Sequence, residues 1–132
     1  MNTKRMAILV LAVGLLLGCR PIYAHHSVAM FDMEQVTTVK GTVTDFEWTN
    51  PHSYVYLDVK DDKGNVEKWT FETAGPLLLS RTGWNRGILK PGDKITISGN
   101  PSRDGKKLLH LVKVVLPNGR EMNGGEPPTA AK

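Results

Sequence analysis

The stretch SYVYLDVKDDKGNVEKWTFET, residues 53–73, decides the fold class of this chain. Its first eight residues place Val55, Leu57 and Val59 at alternate positions, with tyrosines and an aspartate between them. Strict alternation of this kind puts the apolar side chains on one face of a β-strand and the others on the opposite face. The stretch therefore begins with a strand that is buried on one side.

The second half of the same stretch predicts a partner for that strand. The sequence DDKGN at 61–65 is typical of a hairpin turn, and residues 66–73 are rich in residues that favour strands. Trp69 and Phe71 share one face of this second strand, so we expect them to be its buried pair. Residues 53–73 therefore predict two antiparallel strands joined by a tight turn.

A longer strand is predicted upstream, over residues 36–48. Its apolar positions change parity between Val43 and Phe46, although a regular strand keeps one parity for each face. One extra residue in the strand explains the change, so we expect a β-bulge near Thr44 and Asp45.

Downstream, a short helix and two further strands are predicted. Pro76 suits the first turn of a helix and Gly83 the position just past its end. Residues 94–99 and 108–116 then form the fourth and fifth strands. Three strands, a helix and two strands is the element order of the OB-fold, so we predict an all-β, five-stranded OB-fold-like barrel. A small antiparallel sandwich or an open sheet is the alternative architecture.

The first residues have the pattern of a secretory signal. Lys4 and Arg5 precede an apolar run over 6–17, which is too short to span a bilayer as a helix. Cleavage after Ala24 would make residues 1–24 the signal peptide. The rival is LLGC at 16–19, which resembles a lipobox and would leave an acylated Cys19 as a membrane anchor. We expect export to the periplasm, with the lipoprotein as the alternative.

The chain that remains after residue 24 has 108 residues, enough for one domain. We assign 25–116 to the barrel and 117–132, rich in Gly, Pro and polar residues, to a flexible tail. Lys4, Arg5 and Arg20 leave with the signal, so 14 basic residues face 13 acidic ones and the net charge falls from +4 to +1. That near-neutral balance argues against nucleic acid as a partner.

Histidines at the start of the mature chain suggest a metal site. Cleavage after Ala24 would give His25 a free α-amine beside its imidazole, and those two nitrogens can chelate one copper ion. His26 or His52 would supply a further imidazole. The alternative is that the two N-terminal histidines are a solvated chain start, since short histidine tracts are compositional hints only.

The expected ligand mouth lies between two loops. In an OB-fold the loops after strands one and four flank the usual binding face, and here they are residues 48–53 and 100–107. A structural role for the first loop, as a turn and a cap on the barrel, is the alternative. The candidate ligand-binding residues are Trp48, Asn50, His52, Tyr54, Tyr56 and Arg103.

We expect the tyrosines of the second strand to pack under the N-terminal segment around Phe31. The sequence contains no nucleophile elbow, P-loop, zinc-protease motif or Cys-x-x-Cys pair. We therefore predict a protein that is not an enzyme and that binds a small ligand, a metal ion or an envelope protein. The competing class is an accessory protein of the envelope that acts through protein–protein contacts.

Several motifs together resemble a family of small exported bacterial proteins of unknown function. They are HHSVAMFD at 25–32, KGTV at 40–43, WTNPHS at 48–53 and LKPGD at 89–93, and the resemblance extends from His25 to about Arg120. It implies an envelope location with cleavage just before the two histidines, and it implies no activity. The lipobox at Cys19 departs from that pattern.

Overall fold

The computed structural model describes residues 26–125. These residues form six strands and two short helices. In chain order the elements are α1 (His26–Ala29), β1 (Thr37–Glu47), β2 (Ser53–Lys60), β3 (Val66–Thr73), α2 (Pro76–Arg81), β4 (Lys94–Pro101), β5 (Leu108–Val115) and β6 (Glu121–Asn123). Both strands of the 53–73 hairpin have the predicted bounds. None of the helices in this part of the chain is long and apolar enough to cross a membrane.

The sheet closes into a barrel. Its strand order is β3-β2-β1-β4-β5-β6, and a parallel pairing between β3 and β5 joins the two sides. All other neighbouring strands are antiparallel. A closed five-stranded barrel with one short helix between its third and fourth strands confirms the prediction of an all-β, OB-fold-like architecture.

Strand β1 belongs to both halves of the barrel and carries the predicted bulge. Its first half pairs with β4 and its second half with β2, with Thr42 shared between the two pairings. The register with β2 shifts between Val43 and Asp45. The extra residue lets the apolar side chains change parity and still enter the core, because a bulge bends the strand.

A second bulge lies in β4, between Ser98 and Gly99. A Cβ atom on Gly99 would lie 2.6 Å from the carbonyl oxygen of His110, closer than the two atoms can approach. Glycine is therefore required where β4 presses against β5.

The inward side chains of the five long strands fill the barrel and form its core. Phe71 is fully buried, and burial of one such ring contributes roughly 1.5–3 kcal/mol. Trp69 differs from the prediction: it stacks on Phe71 at the edge of the core and is only partly buried. Other core residues are Val43, Val55, Leu57, Ile95, Ile97, Leu109, Leu111 and Val114.

Helix α2 closes one end of the barrel with a single buried leucine, Leu79. Pro76 opens the helix as predicted, and Gly83 follows it with a positive φ of 88°. Leu77 and Leu78 lie on the solvent side. The helix thus buries one side chain in the end of the barrel and leaves two leucines exposed.

The structure differs from the predicted tail over residues 117–125. Strand β6 pairs with the second half of β5 and buries Met122. The carbonyl of Gly124 accepts a hydrogen bond of 2.6 Å from the hydroxyl of Thr73, which fastens the chain beyond β6 to β3. The part of the predicted tail that follows residue 125 lies outside the described residues, as does the predicted signal peptide.

A local signal for β6 was present in the sequence. Asn118 and Gly119 form a dipeptide typical of hairpin turns, and the amide of Leu116 donates to the carbonyl of Arg120 across them. The strand after the turn has one apolar residue, so no alternation marked it as a strand.

Candidate functional site

The loop before β2 is held by its own hydrogen bonds. The Thr49 hydroxyl donates to the His52 carbonyl at 2.8 Å, and the Asn50–Pro51 peptide bond is cis. Trp48 packs edge-on against Phe46 at the margin of the core, which is the capping role that the sequence left open. Asn50 is exposed. The loop therefore presents one side chain toward the β2–β3 face, that of His52.

His52 has its ring fixed by two oxygens. Its Nδ1 lies 3.2 Å from the carbonyl oxygen of Thr73 and 3.4 Å from the carboxylate of Glu72. Both partners are acceptors, so in the neutral ring Nδ1 carries the proton and Nε2 has the lone pair. Within the described residues Nε2 makes no hydrogen bond, and the side chain is 34% exposed. This is the arrangement in which a histidine is oriented to bind a metal ion or accept a proton.

Glu72 is a buried carboxylate on the outer face of the barrel, only 6% exposed. Strand pairing places it beside Tyr54 of β2 and beside His110 of β5, and His110 in turn beside Asn100 of β4. We call Tyr54, Glu72, His110 and Asn100 the Glu72 row. The sequence analysis did not single out Glu72 or His110 as site residues.

The N-terminal segment lies over the Glu72 row. The ring of Phe31 is fully buried and packs on His110, with the ring centres 5.6 Å apart. Asn100 donates from its side-chain amide to the carbonyl of Gln35 at 2.6 Å, and the amide of Asp32 donates to the carbonyl of Pro101 at 2.8 Å. One end of the row is thus covered by chain.

The two tyrosines of β2 do not form the expected platform for Phe31. Tyr54 and Tyr56 stack on each other, 6.4 Å between ring centres, while the ring contact of Phe31 is with His110. Partial burial raises the pKa of Tyr54 above its ordinary value, and the nearby carboxylate of Glu72 raises it further. The Tyr56 hydroxyl donates to Glu47 at 3.1 Å.

A groove of about 370 Å³ opens beside these tyrosines, at the bulge of β1. Tyr56 is the one predicted ligand-binding residue among those that line it. The other side chains that the groove offers to a ligand include Asp45, Glu47, Lys68, Trp69 and Thr70.

Arg103 lies in the loop after β4, where its amide donates to the carbonyl of Met30. In the same loop Lys107 places its ammonium 4.7 Å from the centre of the Trp69 ring. The loop after β4 therefore contacts β3 at Trp69, and the loop before β2 contacts it at Thr73, roughly 13 Å away along the strand. A ligand mouth between the two loops stays a prediction.

The predicted metal ligands are only partly described. His25 lies outside the described residues, and of His26 the structure describes the backbone alone, as the first residue of α1. Between residues 26 and 125, no three His, Cys, Asp or Glu side chains are grouped so that they could hold a metal ion. Of the predicted ligands, His52 alone has a described side chain, with Glu72 beside its Nδ1.

Comparison with known proteins yields a family. The profile of a family of unknown function, DUF6152, matches residues 14–109, which include β1 to β4, the 48–53 loop and the first residues of β5. The chain belongs to this family. No curated protein and no solved structure matches it.

Proposed function

We propose that this DUF6152 protein is a non-enzymatic binding module of the bacterial periplasm that takes up a copper ion. The ion would be held by the amine and imidazole of His25, with His26 or His52 as a further nitrogen ligand. The signal-like sequence of residues 1–24 supports the periplasmic location. Cleavage after Ala24 would also give His25 the free amine that chelates the ion.

The orientation of His52 carries the proposal. With Nδ1 held by the carbonyl of Thr73 and by Glu72, the exposed part of the ring presents Nε2 as a lone pair. Ligating histidines in proteins are commonly fixed in this way, through a carbonyl or carboxylate on the other nitrogen. Glu72 is then a positioning residue, and its negative charge favours a cation nearby.

The N-terminal segment supports the participation of His25. Phe31 and Asp32 are fastened to the barrel beside the Glu72 row. His25 is six positions before Phe31, so even a fully extended chain would place the α-amine within about 20 Å of that anchor. Copper(II) prefers a square-planar set of nitrogen and oxygen ligands, which an amine and two imidazoles provide in part.

Copper titration of the exported protein tests the proposal. The protein is purified from the periplasm of its own cells, its N-terminus is measured by mass spectrometry, and copper(II) is titrated against a competing chelator with electron paramagnetic resonance as the readout. We expect a chain that begins at His25 and one copper bound through nitrogen. A stoichiometric site that survives a two-residue extension ahead of His25 would contradict the proposal.

Paired variants separate ligation from positioning. We expect His52→Ala to change the copper spectrum if His52 is the further ligand, and Glu72→Gln to weaken affinity about tenfold with the spectrum retained. Glu67→Gln, also on β3 but paired with Lys107 at the surface, is the matched control and leaves both unchanged.

The exposed leucines of α2 favour a second candidate, an envelope accessory protein. Leu77 is 66% exposed and Leu78 is 46% exposed, side by side on the solvent side of the helix. Such a pair suits contact with another envelope protein, with acylated Cys19 as a tether in the lipoprotein form. Photo-crosslinking in cells from position 77, with position 63 as control, tests this: one discrete adduct at 77 alone is expected.

A further inference from the structure

A cleft of about 700 Å³ lies on the barrel far from the Glu72 row, at the opposite end of β2. Its lining combines three lysines with an apolar floor that includes Ile95 and Leu116. The lysines are Lys40, Lys60 and Lys94.

The cleft exists because β1 changes partner. Its pairing with β2 ends at Thr42 opposite Asp58, and Thr42 also pairs with Lys94 at the start of β4. Beyond that point β2 separates from β1, which leaves an opening in the wall. Gly41, the first residue of β1 past that pair, is still close to β2: a Cβ on it would be 2.8 Å from the carbonyl oxygen of Asp58, so only glycine fits where the two strands part.

The charges in the cleft are not balanced. The one carboxylate that lines it, Asp58, is engaged by Lys68. No described carboxylate forms an ion pair with Lys40, Lys60 or Lys94. By contrast, four other lysines of the described chain each have a carboxylate partner: Lys68, Lys106, Lys107 and Lys113.

Three like charges on one patch of sheet oppose folding of the empty protein. Two residues beyond the Thr42–Asp58 pair, Lys40 and Lys60 extend from the two sides of the opening. Lys94 is a diagonal neighbour of Lys40 on the adjacent strand. Like charges close together on one face of a sheet repel one another, and an anion between them removes the repulsion.

We propose that the lysine cleft, defined by Lys40, Lys60 and Lys94, binds a ligand that carries two or more phosphate charges. Lysine ammonium groups bind phosphate as compact point charges that adapt to its position, and they do not need the fixed geometry that arginine imposes. The apolar floor accommodates the uncharged part of such a molecule. This site is independent of copper binding, since none of its residues belongs to the Glu72 row.

The test is titration of the full protein with tripolyphosphate, followed by calorimetry and by amide NMR shifts. In parallel, the protein is floated with vesicles of phosphatidylglycerol and of phosphatidylcholine. Two triple variants are compared: Lys40→Gln, Lys60→Gln, Lys94→Gln in the cleft, and Lys63→Gln, Lys90→Gln, Lys113→Gln elsewhere on the surface. The two variants carry the same net charge.

We expect saturable binding of tripolyphosphate, with shifts centred on Gly41 and Ile95 and an affinity that is about tenfold or more lower in the cleft variant alone. Flotation with phosphatidylglycerol in addition would identify a lipid headgroup as the source of the phosphate, and its absence a soluble ligand. Equal loss in both triple variants would show nonspecific charge attraction and overturn the proposal, as would no saturable binding.

Discussion

The Glu72 row and the lysine cleft are both polar regions on the outside of one barrel, and they are built in opposite ways. In the row, charged and polar groups are buried and engaged: Glu72 with His52, and Asn100 with the N-terminal segment. In the cleft, no carboxylate of the described residues forms an ion pair with the three ammonium groups. The polar groups of the row are thus covered by the fold, with His52 as a partly exposed neighbour, whereas we propose that a ligand neutralises the lysines of the cleft.

The largest expected effect tests whether Phe31 anchors the N-terminal segment that lies over the Glu72 row. Phe31→Ala removes a fully buried ring and should destabilise the protein by about 3 kcal/mol, because the cavity and the lost transfer energy add. Met33→Ala, at an exposed position of the same segment, should cost less than about 0.5 kcal/mol. Urea denaturation measures both, and equal midpoints would mean that the segment is not anchored through Phe31.

The next effect tests the hydrogen bonds by which Asn100 holds the N-terminal segment. Asn100→Ala removes the donor to the carbonyls of Gln35 and Met33 and should cost about 2 kcal/mol, since a buried acceptor loses its partner. Asn85→Ala, whose side chain bonds a neighbouring amide in an exposed turn, is the control. Hydrogen exchange of residues 31–36 should quicken in the first variant and not in the second.

A smaller effect of opposite sign is expected in the cleft. Lys40→Gln should stabilise the ligand-free protein by about 0.5 kcal/mol, because one of three repelling charges is removed. The gain should shrink as salt rises, since salt screens the repulsion already. Lys113→Gln, which breaks an exposed ion pair with Glu121, should give no gain in a thermal melt. A salt-independent gain would point to a cause other than charge.

The smallest effect is a pH dependence at the edge of the row. The pKa of Tyr54 lies above the ordinary 10.0 in the folded protein, first through partial burial and then through Glu72. The folded state thus favours the neutral phenol, and this contribution is complete below pH 10 and is lost as the pH rises through the raised pKa.

The titration is followed as phenolate absorbance, with the Tyr54→Phe variant subtracted. Glu72→Gln should move the Tyr54 midpoint downward, because a negative charge is removed. Glu67→Gln should leave it in place. Identical midpoints in all three proteins would remove Glu72 from the surroundings of the phenol.

The two regions also differ in how many of their residues could be predicted from the sequence. Of the row and its neighbours, His52 and Tyr54 were found because they flank a turn and follow the alternation of β2. Glu72 and His110 belong to no local motif, and nothing near either residue in the sequence indicates that a buried carboxylate lies beside a histidine 38 positions away. The cleft lysines looked like ordinary solvated charges, because their grouping depends on where β1 leaves β2.

The sequence alone determined the barrel, the bulge in β1, the hairpin bounds and the place of α2, because each follows from alternation, parity or turn chemistry within a few residues. Strand β6, the cover over His110, the partial exposure of Trp69 and the lysine cleft were decided by the tertiary structure. Those features depend on which strand edges meet when the barrel closes, and no local pattern records that choice.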